Sequence, residues 1–202
     1  MTRALILVDL QYDFMSGSAL GVGEGEQLVP LANRMQGFFD LVFATQDWHP
    51  PDHSSFARNY PGHEIGQVID IDGISQVLWP VHCVQNTRGA ALVYILVTSG
   101  IRRTFYKGTN PAIDSYSAFF DNGHRQSTGL GDYLKEMGVE AVYLMGMATD
   151  YCVKYSVLDA LELGFQTMVI EDGCRAVELQ AGDGERAIEA NEGVRGSISN
   201  ER

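Results

Sequence analysis

Ala4-Leu5-Ile6-Leu7-Val8-Asp9 is an unbroken apolar run closed by a carboxylate. A strand with one wet face would alternate apolar and polar residues. A continuous apolar run of this length reads instead as a strand buried on both faces, as in parallel sheets covered by helices. Asp9 is thereby placed at the C-terminal end of an inner strand. Outward from it, the stretch 27–39 carries Leu28, Leu31, Met35 and Phe38 at helical spacing, and 41–45 reads as a second strand. The alternation continues. Residues 101–106 pattern as a strand, 130–137 as a helix stopping at Gly138, and 139–147 as a strand. Residues 151–163 follow as a helix with Val153, Val157, Leu158 and Leu161 on one face, ended by Gly164, before a strand at 165–170. The expected fold is α/β, a three-layer α/β/α arrangement around a mainly parallel sheet, in a single domain over 1–202.

The long segment 46–100 is rich in His, Pro, Trp and Gly and is expected to cover the C-terminal edge of the sheet, where long loops carry function. Within it, 92–98 has strand-like composition. The end of the chain, 193–202, lacks an apolar strand that would finish the sheet. Of 202 residues 45% are hydrophobic, enough to build a core without disulfides. The 14 Lys and Arg against 26 Asp and Glu leave a formal charge of -12, which would repel nucleic acid and anionic membranes and points to small-molecule partners. Three cysteines are too few for a disulfide scaffold and suit the cytoplasm, and neither a signal-peptide pattern nor a long apolar run is present.

The sharpest chemical signal is Gly146-Met147-Ala148-Thr149-Asp150-Tyr151-Cys152, a strand end, a tight turn and a helix start. Unpaired N–H groups and the helix dipole at such a place stabilise a thiolate, and the same N–H groups can hold an oxyanion. For this segment alone, a structural buried cysteine is the alternative. Asp9 at a buried strand end needs a partner or a raised pKa, and either suits a residue that takes a proton from a thiol. Lys107, at the end of another strand, can be that partner. Ligands of open α/β sheets bind outside the carboxyl ends of the strands, where Asp9, Lys107 and the turn before Cys152 all fall. An ion pair closing a sheet edge is the plainer reading of Asp9 and Lys107 without the cysteine.

Asp47-Trp48-His49-Pro50-Pro51-Asp52-His53 follows the second strand, and His82 lies in Trp79-Pro80-Val81-His82-Cys83. Asp47, His49, His53 and His82 offer one carboxylate and three imidazoles, a donor set suited to one divalent metal such as zinc, iron or manganese, while Asp47-x-His49 alone equally fits histidines that cap surface turns. His63 and His124 read as ordinary loop residues. Cys174 reads as structural, and Cys83 as a soft ligand or a buried thiol. The glycines at 21–25 lack the Lys-Ser/Thr ending of a phosphate loop and read as a turn.

These motifs, together with Tyr106-Lys107-Gly108, Asp114-Ser115-Tyr116-Ser117 and Asp172-Gly173-Cys174-Arg175, resemble those of bacterial nicotinamidases, or pyrazinamidases, within the isochorismatase-like cysteine hydrolases. The resemblance runs to about residue 177. It implies a catalytic set of Cys152, Asp9 and Lys107, with Lys107 keeping Asp9 anionic and favouring thiolate. It also implies a metal on Asp47, His49, His53 and His82, a cis peptide between Met147 and Ala148, and an oxyanion hole of the Ala148 and Cys152 N–H groups. The substrate would be nicotinamide, its ring nitrogen on the metal and its ring flanked by Phe14 and Trp79, beside Met147 and Ala148. Self-association is left open. Tyr12 stands where the family commonly has Asn, and Val81 where it has Pro. An amidohydrolase for N-carbamoyl compounds would keep the triad, but the metal cluster argues against it. A vinyl-ether-cleaving isochorismatase would not need Cys152. A non-catalytic module should have lost a triad or metal residue, and none is missing.

Overall fold

The run at 4–8 is the centre of the sheet. In the computed structural model, which describes residues 1–190, β1 (Thr2–Val8) lies between β2 (Leu41–Asp47) and β6 (Val139–Met147) and is parallel to both. Ala4, Leu5, Ile6, Leu7 and Val8 are all buried, as the unbroken apolarity requires. β5 (Arg103–Lys107) pairs parallel with β2 and β7 (Gln166–Arg175) parallel with β6, giving the order β5-β2-β1-β6-β7. Helices α1 (Leu28–Met35), α2 (Leu130–Glu136), α3 (Lys154–Glu162) and α4 (Asp183–Ala190) complete a three-layer α/β/α architecture. No helix among the described residues is long and apolar enough to cross a membrane.

The chain moves outward from β1 to β2 and β5, then returns to the other side of β1 for β6 and β7. The strand order therefore reverses between β1 and β6, and the crevice beyond the C-terminal ends of those two strands is the natural ligand site. Asp9 leaves β1 there and the Cys152 turn leaves β6. The strands approach closely at this point because Gly146, opposite Val8, has no side chain. A Cβ at Gly146 (φ 134°) would overlap the Val8 carbonyl.

Several boundaries differ from expectation. The 27–39 helix shortens to α1, with 3₁₀ turns at Gly25–Gln27 and Gln36–Phe38. β2 runs on to Asp47 and β7 to Arg175, where a register shift sets Cys174 opposite Gly146. Cys174 is buried in that strand and its thiol is pushed up to about 12 by burial, in keeping with a structural role. The 92–98 stretch is not a strand. Its backbone is held by side chains from the α1 side: Asn33 donates to Ile95 O (2.9 Å) and accepts from Val97 N–H (2.8 Å), and Gln36 donates to Val97 O (2.9 Å). The 46–100 segment holds a detached hairpin, β3 (Val68–Ile71) and β4 (Ile74–Val77). The stretch 193–202 lies outside the described residues.

Candidate active site

Asp9 turns out of β1 with φ 53°, a left-handed conformation uncommon for a residue with a side chain. Its carboxylate is fully buried: Oδ1 accepts from Thr45 Oγ1 (2.7 Å), and Oδ2 lies 2.9 Å from Lys107 Nζ without an aligned donor. Lys107, the last residue of β5, is equally buried, and its ammonium donates to Asp47 Oδ1 (2.5 Å), Ser115 O (3.1 Å) and Cys152 Sγ (3.3 Å). The three strand ends do converge.

One ammonium serves two buried carboxylates, and they respond differently. Burial alone would lower the pKa of Lys107, but Asp47 and Asp9 hold it well above the usual lysine range. Burial would raise Asp47, yet Lys107 and His49 keep it well below the usual carboxylate range. At Asp9 burial wins over Lys107, and the neighbouring Asp47 charge adds to it, so its pKa is raised. Carboxylates pushed apart in this way suit different roles, Asp47 as a standing charge and Asp9 as a group able to take up a proton. Burial also drives the Cys152 thiol well above its ordinary range; Lys107 lowers it, as expected, but Asp9 and Asp47 oppose that pull. Burial thus favours the thiol, while Lys107 pulls toward thiolate as expected.

The Met147–Ala148 peptide is cis. Beyond it the chain forms a π-turn, Thr149–Val153, in which Tyr151 and Val153 N–H both donate to Ala148 O (3.2 and 3.0 Å), and α3 follows. Cys152 thus sits in a π-turn rather than the first turn of an α-helix. Such turns recur at functional sites, and the leading N–H groups of a helix lack intrahelical acceptors. Ser156 secures the turn, donating to Cys152 O while accepting from Ala118 N–H (2.8 Å).

Asp47, His49, His53 and His82 come together beside this group. Asp47 Oδ2 lies 3.7 Å from His49 Nε2 and 3.8 Å from His82 Nε2, and one ligand atom from each of the three falls within 4.8 Å of the others. Each Nδ1 is occupied from outside: His49 by Gly108 O (2.9 Å), His53 by Ser55 Oγ (2.7 Å) and His82 by Pro80 O (2.8 Å). The remaining nitrogens are left for the interior, and Nε2 of His49 and of His53 is buried without a partner. Buried polar atoms are normally satisfied, so two such nitrogens beside a charged carboxylate fit a divalent cation. Burial lowers the pKa of His53 to about 4, whereas at His49 the Asp47 charge outweighs burial and raises it. Asp114, not singled out as a ligand, forms an overlapping group with His49 and His53.

A cleft of about 330 Å³ opens on Cys152 and Ala148, walled by Phe14, Leu20, Trp79 and Tyr116, with Asp47 and His82 exposed to it. Met147 does not line it; the side chain is buried with its thioether against Gly25. Tyr12 also stays out, lying under Arg88 (4.6 Å) and accepting from Tyr94 N–H (3.2 Å). Sequence reasoning missed Gln11, whose amide clamps Asp47 by accepting from its N–H and donating to its carbonyl (both 2.8 Å). It also missed Tyr116, whose hydroxyl accepts from Trp79 Nε1 (3.2 Å).

Residues 3–189 match the isochorismatase domain family. The chain belongs to that family. Within it, the chain is 51% identical over 190 residues to a nicotinamidase of Escherichia coli (strain K12), covering 92% of this chain and 89% of that one. A nicotinamidase pyrazinamidase structure from Acinetobacter baumanii superposes with TM-score 0.93 at 42% identity, covering 97% and 96% of the two chains. A Pyrococcus horikoshii pyrazinamidase in complex with zinc gives TM-score 0.78 at 35% identity, covering 98% and 99%.

Proposed function

We propose that this chain hydrolyses nicotinamide, and pyrazinamide as its close analogue, to the acid and ammonia through a thioester on Cys152. The observation that carries this reading is the contact of one buried ammonium with Asp9, Asp47 and the Cys152 sulfur at the floor of an aromatic cleft. The 51% identity to a nicotinamidase supports the substrate.

In the first half-reaction the Cys152 thiol gives its proton to Asp9 Oδ2, the carboxylate oxygen without an aligned donor, as sulfur bonds to the carboxamide carbon. The N–H groups of Ala148 and Cys152 hold the oxygen as it gains charge. Asp9 passes the proton to the amide nitrogen, the C–N bond breaks and ammonia leaves. In the second, Asp9 takes a proton from water, the hydroxyl adds to the thioester carbon, the C–S bond breaks and the sulfur recovers its proton from Asp9. Lys107 exchanges no proton, because Asp47 and Asp9 hold its pKa too high; it steadies Asp9 and the sulfur charge that develops. Phe14 and Trp79 flank the ring.

Asp47, His49, His53 and His82 would hold one divalent metal, zinc in this reading. The two unpartnered Nε2 atoms and the zinc complex of the Pyrococcus relative support it. When bound, the metal supplies a Lewis-acidic anchor for the ring nitrogen. The three buried, unpaired cysteines suit a cytoplasmic enzyme of NAD salvage. Ammonia release from nicotinamide, pyrazinamide, benzamide and an N-carbamoyl amino acid tests the substrate. Nicotinamide and pyrazinamide should turn over well and benzamide, lacking the ring nitrogen, poorly. Faster turnover of the N-carbamoyl compound would reject the reading.

A further inference from the structure

Gln76 is the buried residue of the detached hairpin; every other position of β3 and β4 is exposed or half-buried. Its amide nitrogen donates toward Val77 O (2.8 Å), Asp114 Oδ2 (3.1 Å) and the Tyr116 hydroxyl (3.1 Å), and Asn122 Nδ2 lies 3.5 Å from its Oε1. Acceptors at one end and a donor at the other fix which way the amide faces. The Tyr116 oxygen thus accepts from Gln76 as well as from Trp79 Nε1 (3.2 Å). A chain of bonds runs from the hairpin through Tyr116 to Trp79. Both of these rings wall the active cleft, and they meet edge to face (6.4 Å between centroids, 87° between planes). A second cavity, of about 780 Å³, also borders Tyr116. Along that border no close-packed atoms hold the ring, so its place depends on the hydrogen bonds at its hydroxyl.

We infer that Gln76 is a positioning residue for substrate binding, holding the Trp79 indole through Tyr116 at the angle that leaves a slot for a flat aromatic carboxamide, a ligand that rests on the function proposed above. A hairpin that needed only an anchor would be served by leucine or methionine at this place. A buried amide costs free energy unless its polar atoms are bonded. Here its bonds lead to the cleft wall. Phe14, across the cleft, has support of its own from the His82 ring (5.7 Å). The indole faces the substrate ring rather than the reacting carbon, so its placement contributes to binding and not to turnover.

Steady-state ammonia release from nicotinamide by Gln76→Met, Tyr116→Phe and the double variant tests this. Methionine keeps the volume and removes the donor; phenylalanine keeps the ring and removes the acceptor. Each single change should raise KM about three- to tenfold, the worth of one hydrogen bond, with kcat little changed, and the double variant should be no worse than either. Gln76→Asn, which withdraws the amide by one methylene and stays polar, should show the same direction of change. In Trp48→Phe protein, where Trp79 is the sole indole, either Gln76 variant should make the fluorescence easier to quench with acrylamide, whatever the substrate. Wild-type KM in both Gln76 variants, effects that multiply in the double variant, or unchanged quenching would show that Gln76 only anchors the hairpin and would overturn the inference. Absence of nicotinamide hydrolysis by the wild type would instead reject the substrate, and the quenching comparison would still decide the positioning.

Discussion

Lys107 Nζ lies 3.3 Å from Cys152 Sγ and 2.9 Å from Asp9 Oδ2, so one buried cation touches both ends of the proton transfer proposed to activate the sulfur. The same ammonium also donates to Asp47. Removing it leaves two buried carboxylates facing each other. Breaking a buried ion pair from one side destabilises a fold by about 3–5 kcal/mol. Lys107→Met should therefore lower the unfolding free energy extracted from urea titration by an amount in that range and abolish ammonia release. Lys107→Arg should not restore activity, because a planar five-donor fork does not fit a point charge's place among three acceptors. Near-wild-type stability of Lys107→Met would contradict this account of the buried charges.

The Asp9 charge raises the Cys152 pKa. Neutralising it must then lower that pKa, so that more thiolate exists at any given pH. In metal-stripped protein, iodoacetamide should alkylate Cys152 of Asp9→Asn faster than the wild-type thiol, with the pH midpoint moved downward. Amide hydrolysis by the same variant should fall by roughly 10²–10⁴-fold, the usual worth of a general acid–base. A more reactive sulfur in a less active enzyme separates proton transfer from thiolate formation. Slower alkylation of Asp9→Asn would show the opposite coupling.

Gly108 follows Lys107 with φ 61°, and a Cβ there would overlap the His49 ring that its carbonyl orients. Gly108→Ala should displace His49 without deleting any metal donor. Loss of this kind of outer support typically weakens metal binding about 10–100-fold. Zinc affinity measured by competition with a chelator should fall by that factor, and added zinc should recover part of the activity. Unchanged affinity would mean that the Gly108 carbonyl and the space beside it do not set the ligand's orientation.

Much of this was legible because burial constrains sequence. An inner parallel strand has no solvent face, so residues 4–8 could only be apolar, and Asp9 stood out as the charge at its end. Lys107, Cys152 and the clustered Asp47, His49, His53 and His82 stood out in the same way, each in a short motif near a strand end, and the structure brings their side chains close together. Residues 92–98 misled because an apolar run reports burial, not pairing. Val93 and Leu96 are buried while the backbone is bonded to side chains of Asn33 and Gln36, and the place beside β2 is taken by 103–107. Gln11 was opaque for another reason. Its work is a bond to a backbone 36 residues away, and nothing local in its neighbourhood announces that. Asp114 and Tyr116 reach the site through an irregular loop, where no periodicity tells which way a side chain faces. Met147 shows the converse, a neighbour in sequence whose side chain points away from the cleft.

The central claim is a covalent bond between Cys152 and the substrate's carbonyl carbon, and ammonia release by Cys152→Ala tests it most directly. Alanine keeps the backbone N–H and the fold while removing only the sulfur. The account predicts that release from nicotinamide drops by roughly 10⁴-fold or more, as when a covalent nucleophile is removed from a hydrolase. Activity within tenfold of wild type in Cys152→Ala would contradict it, since water would then be attacking the amide without the thioester.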